Sequence, residues 1–166
     1  STSLGTVTVG NLSHADIVYP AGHVLKTITD SDKGTERATS SGDYVDIVGL
    51  SCEITSVGLN SKFIIHAHSG MSNGSGANMA INIKRVTPSG TTNELEGNYS
   101  GLTYYYGITH SRTSYSALSL FYIDTPTQVI GTTITYSLRF KTDDGNEGLW
   151  LHSNGSASMM VQEIAV

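Results

Sequence analysis

Apolar and polar residues alternate with a period of two along much of the chain. The clearest example is "TTITYSLRFKT" at residues 132–142, in which Ile134, Tyr136, Leu138 and Phe140 share one face. The segment "NMAINIKRV" has the same pattern, and no segment has the 3.6-residue stripe of an amphipathic helix. The pattern predicts an all-β antiparallel sandwich or barrel of about eight to ten short strands separated by turns.

A proline and a glycine near the N-terminus mark a domain boundary. "YPAG" at residues 19–22 predicts a turn, because Pro20 restricts the residue before it and Gly22 tolerates turn geometry. We place the boundary there, between a leader of residues 1–19 and one compact domain of residues 20–166.

Further polar and glycine-rich stretches predict the connections within that domain. We expect polar loops at residues 30–43 and 69–77 and a turn in "TPSGTT". We also expect a hairpin-type turn in "DDGNEG" at residues 143–148.

Composition and charge exclude several kinds of partner. Charged residues make up 14% of the chain, whereas about 25% is usual, and the formal net charge is −5. The nearest approach to a basic run is Lys84 with Arg85, which argues against a nucleic-acid partner. No apolar run approaches the ~20 residues of a membrane span, and "STSLGTVTVG" lacks the regions of a signal peptide. Cys52 is the only cysteine, so no intrachain disulfide can form, which fits assembly in a reducing cytoplasm.

The run "KFIIHAHSG" at residues 62–70 raises the question of a metal site. On a strand, His66 and His68 share one face with Ile64, and Phe63 and Ile65 occupy the other. Such a pair places two imidazoles side by side, as zinc or iron sites require. The spacing brings in no further ligand from the same chain, although a three-fold axis would bring three such pairs together. We therefore expect packed or hydrogen-bonded strand residues, and neither a metal nor a cofactor.

The signals for catalysis are weak. No G-x-S-x-G elbow occurs, and Cys52 has no nearby base in sequence, so we expect a small buried side chain there. Glu94 with Glu96 and Asp143 with Asp144 are pairs of carboxylates of the kind a glycosidase uses, but solvated charge explains them more simply. We predict that the protein is not an enzyme.

The aromatic residues offer a candidate binding surface. "GLTYYYGITHSRTSY" carries three consecutive tyrosines beside His and Arg, and Trp150 follows the predicted turn at residues 143–148. Such residues give a large contact area with a polar tip, and their rings also stack on sugars. Packing in the core or in a subunit interface is the alternative. The candidate binding residues are Tyr104, Tyr105, Tyr106, His110, Arg112, Asn146 and Trp150.

Several segments resemble a domain that recurs in tail-fibre and structural proteins of marine bacteriophages. The resemblance begins at "YPAGHVLKTITDSDKG" and continues through "SGDYVDIVGLSCEITSVGLNSKFIIHAHSG". It ends with "LFYIDTPTQVIGTTITYSLRFKTDDG" and "SASMMVQEIAV", so that it spans residues 20–166 in the same order. The chain departs from that pattern in lacking a proline after "EIT" and in carrying His66 and His68 where β-branched residues are usual.

This resemblance implies a jelly-roll-like β-sandwich that forms the trimeric head of a virion fibre or spike, with residues 1–19 as the end of a shaft or linker. It implies a non-enzymatic protein that binds a glycan or receptor on the host cell surface and contacts other virion proteins. Assembly would take place in the bacterial cytoplasm, and the virion would act outside the cell.

Two other functions remain open at this point. One is a capsid decoration or other structural virion protein without receptor binding. The other is a carbohydrate-active enzyme, which requires a deep cleft with two carboxylates at catalytic separation.

Overall fold

The computed structural model describes residues 19–33, 37–73, 79–93, 95, 103–105, 116–142, 148–150 and 156–166. These residues form eleven β-strands and no helix, as the alternation predicts. No helix long and apolar enough to span a membrane occurs in this part of the chain.

The strands vary in length from three to twelve residues. In chain order they are β1 (Val24–Lys33), β2 (Arg37–Thr39), β3 (Val45–Thr55), β4 (Lys62–Asn73), β5 (Met79–Thr87), β6 (Gly90–Thr92), β7 (Thr103–Tyr105), β8 (Ser116–Asp124), β9 (Thr133–Thr142), β10 (Gly148–Trp150) and β11 (Ser156–Ile164).

Two antiparallel sheets form a sandwich. Sheet A has six strands in the order β1-β11-β4-β10-β2, with β8 also on β4, and sheet B has five in the order β3-β9-β5-β6, with β7 also on β5. β11 lies between β1 and β4, and further along β4 the short strand β10 lies between β2 and β4 in the same way. In the sheet, β2 therefore continues the line of β1, and β10 continues the line of β11. In sheet B, β6 and β7 pair with the same edge of β5 and so share one strand position. Each sheet therefore has four strand positions, and their order is that of a jelly roll. The prediction of an antiparallel jelly-roll-like sandwich is confirmed.

The core consists of alternate side chains from both sheets. On β9, Ile134, Tyr136, Leu138 and Phe140 are all buried, as the alternation predicts. Burial of a side chain of this size stabilises the fold by about 1.5–3 kcal/mol. The hydrophobic contacts between β4, β5, β9 and β11 therefore hold the two sheets together.

A bulge in β3 changes the side-chain phase of that strand. Ile47 and Leu50 are both buried although they are three positions apart, and the register with β9 shifts between Asp46 and Ser51. Gly49 absorbs the extra residue with a φ of 91°, a conformation that side chains disfavour.

Two predicted loops are partly strand. Asp30 to Lys33, the start of the predicted loop at residues 30–43, completes β1 and pairs with β11, and residues 37–39 form β2. Residues 69–73, the start of the predicted loop at residues 69–77, complete β4, where β8 and β10 supply ladder partners. The predictions were wrong there because neighbouring strands provide backbone hydrogen bonds that the local sequence does not reveal.

The prediction of a hairpin-type turn at residues 143–148 was also wrong. β9 belongs to sheet B and β10 to sheet A, and the two strands do not pair. The two strands are therefore not the arms of one hairpin, and residues 143–147 between them lie outside the described residues. The turns predicted at "YPAG" and "TPSGTT" are confirmed: the N–H of His23 donates to the carbonyl of Pro20 at 3.0 Å, and β5 and β6 form a hairpin closed at Thr87 and Gly90.

A buried polar network joins the two sheets. Asp124 of β8 accepts hydrogen bonds from Arg85 Nη1 of β5 at 2.8 and 2.9 Å and from the hydroxyl of Tyr136 of β9 at 2.7 Å. Arg85 Nη2 also donates to Thr92 Oγ1 of β6 at 3.3 Å. Each charge in this network has a hydrogen-bonded partner, which offsets part of the free-energy cost of removing it from water.

A buried carboxylate holds together the end of the sandwich at which β1 begins and β11 ends. Glu163 accepts backbone hydrogen bonds from Val57 at 3.0 Å and from Gly58 at 2.8 Å. The same β3–β4 loop contacts the β8–β9 loop, because the N–H of Ser56 donates to the carbonyl of Thr132 at 2.9 Å. We call this end of the sandwich the Glu163 end.

Candidate functional site

Backbone pairing brings two of the predicted aromatic stretches to one end of the sandwich. β10 pairs with the last residues of β4, and β7 pairs with the first residues of β5. β4 runs away from the Glu163 end, since Phe63 pairs with Glu163 at its start. The end of β4 and the start of β5 therefore lie opposite the Glu163 end, and we call this the β7–β10 end.

Three of the seven predicted site residues lie on described strands of the two sheets, and the other four lie outside the described residues. Tyr104 and Tyr105 lie on β7 in sheet B, and Trp150 lies on β10 in sheet A, in the ladder with Arg37 and Met71. Tyr106, His110, Arg112 and Asn146 lie outside the described residues. Their role in binding stays a prediction.

The histidine pair lies on the outward face of sheet A. His66 is half-buried, and its Nε2 is 3.1 Å from the hydroxyl of Ser119 on β8. His68 is exposed and lies in the ladder between Ser119 and Ser158. The face assignment made from the sequence is confirmed, because Phe63 and the alternate residues after it point into the core. Within the described ranges, no cluster of three or more His, Cys, Asp or Glu side chains could hold a metal ion.

The outward surface around His66 is apolar across three strands. One ladder row joins Phe121 of β8, His66 of β4 and Met160 of β11. The next row joins Ile123 to Ile64. Phe121 is 61% exposed and Ile123 is 48% exposed, so two large side chains face solvent on neighbouring positions of one strand face. We call the outward positions Ile64, His66, Phe121, Ile123 and Met160 the β8 face.

The outward surface of sheet B has a different character. Asp46 on β3 forms ion pairs with Lys84 Nζ of β5 at 2.6 Å and with Arg139 Nε of β9 at 2.8 Å. Partial burial by itself would raise the pKa of Asp46, but the hydrogen bond and the charge of Lys84, together with Arg139, outweigh it and lower that pKa. The charged side chains on this surface therefore pair with one another, whereas the β8 face carries no charged side chain.

Sequence reasoning missed the β8 face. The available signal was the segment "LSLFYI", in which Phe121 and Ile123 occupy positions where an alternating strand exposed to water would carry polar residues. Met160 gave no such signal, because its position beside His66 depends on the pairing of β11 with β4.

Two described groups with nucleophilic or acid–base chemistry, Cys52 and Tyr136, are buried in the core. Desolvation raises the pKa of the Cys52 thiol to about 11, and the charge of Asp30 adds to that effect. Burial, followed by the neighbouring charge of Asp124, raises the pKa of Tyr136 above its usual range. The carboxylate pairs Glu94 with Glu96 and Asp143 with Asp144 lie outside the described residues. The prediction that the protein is not an enzyme stays a prediction.

Neither a protein-family model nor a curated protein sequence matches the chain. Similar solved structures include infectious bursal disease virus of the Gx strain, which is 14% identical over 84% of this chain with a TM-score of 0.47. A T=1 particle derived from infectious bursal virus is 6% identical over 96% of this chain and 41% of its own, also with a TM-score of 0.47. The CBM22-1 xylan-binding domain from Paenibacillus barcinonensis Xyn10C is 11% identical over 90% of this chain and 99% of its own, with a TM-score of 0.35. This chain spans 32% of the length of the Gx-strain chain.

Proposed function

We propose that the chain is a non-enzymatic virion module of a bacteriophage that forms a trimeric fibre or spike head and binds a carbohydrate on the host cell surface. The sequence resemblance to marine phage fibre proteins motivates the virion assignment. The observation that carries the choice of surface is that β7 and β10 lie together at one end of the sandwich, whereas β1 begins and β11 ends at the other.

This polarity suits a head that is attached at its Glu163 end and presents its β7–β10 end to a receptor. Loops on a rigid β scaffold can vary without loss of the fold, so receptor contacts concentrate there. We assign sugar stacking to the aromatic residues Tyr104, Tyr105, Tyr106 and Trp150. His110, Arg112 and Asn146 would donate hydrogen bonds to hydroxyl groups, and no cofactor is needed. A single contact of this kind is weak, but three copies on one head gain affinity by avidity, by as much as roughly 10²–10⁴-fold.

Single substitutions at the β7–β10 end test the proposal. Trp150→Ala, Tyr105→Ala and Arg112→Ala should each weaken binding to an array of bacterial surface polysaccharides without changing the oligomeric state. Val129→Ala is the matched control, since Val129 is an exposed apolar residue of the β8–β9 loop at the Glu163 end. The proposal fails if the assembled wild-type protein binds no polysaccharide, or if Val129→Ala weakens binding as much as the other three substitutions.

A capsid decoration or other structural virion protein without receptor binding is the second candidate. The apolar β8 face favours it, because the exposed Phe121 and Ile123 of β8, beside half-buried apolar residues of β4 and β11, suit protein contacts better than sugars. Wild-type protein that assembles on capsids but ignores the polysaccharide array would support this alternative.

A further inference from the structure

We propose that the β8 face is the surface through which copies of this chain associate. The proposal rests on the proposed function in one respect, namely that the protein works as an oligomer. It adds the residues that bring the copies together, which lie on the outside of sheet A and not at the β7–β10 end.

The first support is the continuity of the apolar surface. Phe121 lies beside His66 and Met160 in one ladder row, and Ile123 lies beside Ile64 in the next. Single exposed apolar side chains are ordinary on protein surfaces. Adjacent rows that combine an aromatic residue, a methionine and isoleucines have the composition of an interface core.

The second support is the absence of charge. The outward positions of β8, β4 and β11 within the described residues carry no Asp, Glu, Lys or Arg, apart from Lys62 at one corner. They are Ala117, Ser119, Phe121, Ile123, Ile64, His66, His68, Gly70, Ser156, Ser158, Met160, Gln162 and Ile164. Because the chain carries a net charge of −5, identical copies repel each other at charged surfaces. On this face two copies can meet without burying an unpaired charge.

The size of the face is adequate for a small interface with a second copy. The three strands β8, β4 and β11, spaced by about 4.8 Å, over nine residues that rise about 3.3 Å each, give a projected area of about 430 Å². The relief of the side chains increases this value, which lies at the small end of specific interfaces and below the about 800 Å² per partner of a standard one. In such an interface His66 keeps its hydrogen bond to Ser119 and requires no partner from the other copy.

A matched pair of substitutions tests the proposal. Phe121→Asp places a charge at the most exposed apolar residue of the β8 face, and Val48→Asp makes the same change at an apolar residue of β3 in sheet B that is 69% exposed. Sedimentation velocity of the full chain at micromolar concentration should show an oligomer for wild type and Val48→Asp. Phe121→Asp should dissociate it, with association weaker by about tenfold or more. Circular dichroism should show that both variants keep the fold.

Two outcomes would overturn the proposal: a monomeric wild-type protein, or a Phe121→Asp variant that associates like wild type. If Phe121→Asp does not fold, oxidative footprinting of the wild type decides the question: Phe121 and Met160 should be protected in the oligomer and react on dilution, whereas equal reactivity in both states contradicts the proposal.

The polysaccharide array separates this proposal from the proposed function. A wild-type oligomer that Phe121→Asp disperses, but that binds no polysaccharide, supports the interface and rejects carbohydrate binding. If the monomeric Phe121→Asp variant still binds polysaccharide with the affinity of a single site, the result supports both the interface and carbohydrate binding.

Discussion

At the scale of single residues, the protein keeps its only thiol inert. Cys52 is fully buried on β3, and its Sγ lies 3.6 Å from the carbonyl oxygen of Met159 on β11. Thiol chemistry requires the thiolate, and desolvation makes the thiolate scarce by raising the pKa of Cys52 to about 11. The residue therefore acts as a small apolar side chain in contact with both sheets, as the sequence suggested.

We predict that a water-soluble disulfide reagent at pH 8 does not modify Cys52 in the folded protein and modifies it fully in denaturant. Ser51→Cys provides the control, because position 51 is exposed on the same strand and should react in the folded state. Rapid modification of the folded wild type, followed by absorbance of the released thiol, would contradict the buried environment.

At the scale of a single strand, β3 shows how one glycine sets the register of a sheet. The bulge at Gly49 lets Ile47 and Leu50 both reach the core, and so both parts of the strand contribute to it. A Cβ at position 49 would also lie 2.8 Å from Arg37 Nη2, whose guanidinium is held by Asp32 at 3.1 Å. Backbone conformation and local contacts therefore both favour glycine there.

We predict that Gly49→Ala lowers the free energy of unfolding by about 1–2 kcal/mol, because alanine disfavours a positive φ. Gly70→Ala is the matched control on β4, since Gly70 has no positive φ and a Cβ there meets nothing within 4 Å. It should be neutral, or stabilising by up to about 1 kcal/mol. Urea denaturation of both variants checks the prediction, and equal stabilities would contradict it.

At the scale of the whole molecule, the two sheets are joined by apolar packing and by the network of Asp124, Arg85 and Tyr136. Apolar packing tolerates small changes of position, whereas hydrogen bonds to a buried carboxylate depend strongly on geometry. The network therefore specifies how sheet A sits on sheet B. Burial, followed by the charge of Asp124, raises the pKa of Tyr136 above its ordinary value and so keeps the phenol protonated.

We predict that Tyr136→Phe lowers the free energy of unfolding at pH 7 by about 1.5–3 kcal/mol, the usual contribution of a hydrogen bond to a charged group. A raised folded-state pKa means that the contribution of Tyr136 is complete below its unfolded value of 10.0 and is lost at higher pH. Between pH 9 and pH 11, wild type should therefore lose stability more steeply than Tyr136→Phe. Parallel urea titration curves for the two proteins over that range would contradict the assignment.

The sequence by itself determined the fold class, the absence of helix from the described residues and the inward face of most strands. These properties follow from the two-residue period of a strand, which is a local property of the chain. The inward positions of β9 and the faces of His66 and His68 were predictable for that reason. The division into residues 1–19 and 20–166 and the binding role of the aromatic residues stay predictions.

Only the tertiary structure decided which strands are neighbours, because pairing depends on contacts between residues distant along the chain. It extended β1 and β4 into segments that read as loops, since β8, β10 and β11 supply their hydrogen bonds there. It also separated β9 from β10 into different sheets and placed β7 and β10 at one end of the sandwich. The β8 face has the same origin: Phe121, His66 and Met160 belong to three different strands, and only the ladder between these strands makes them one surface.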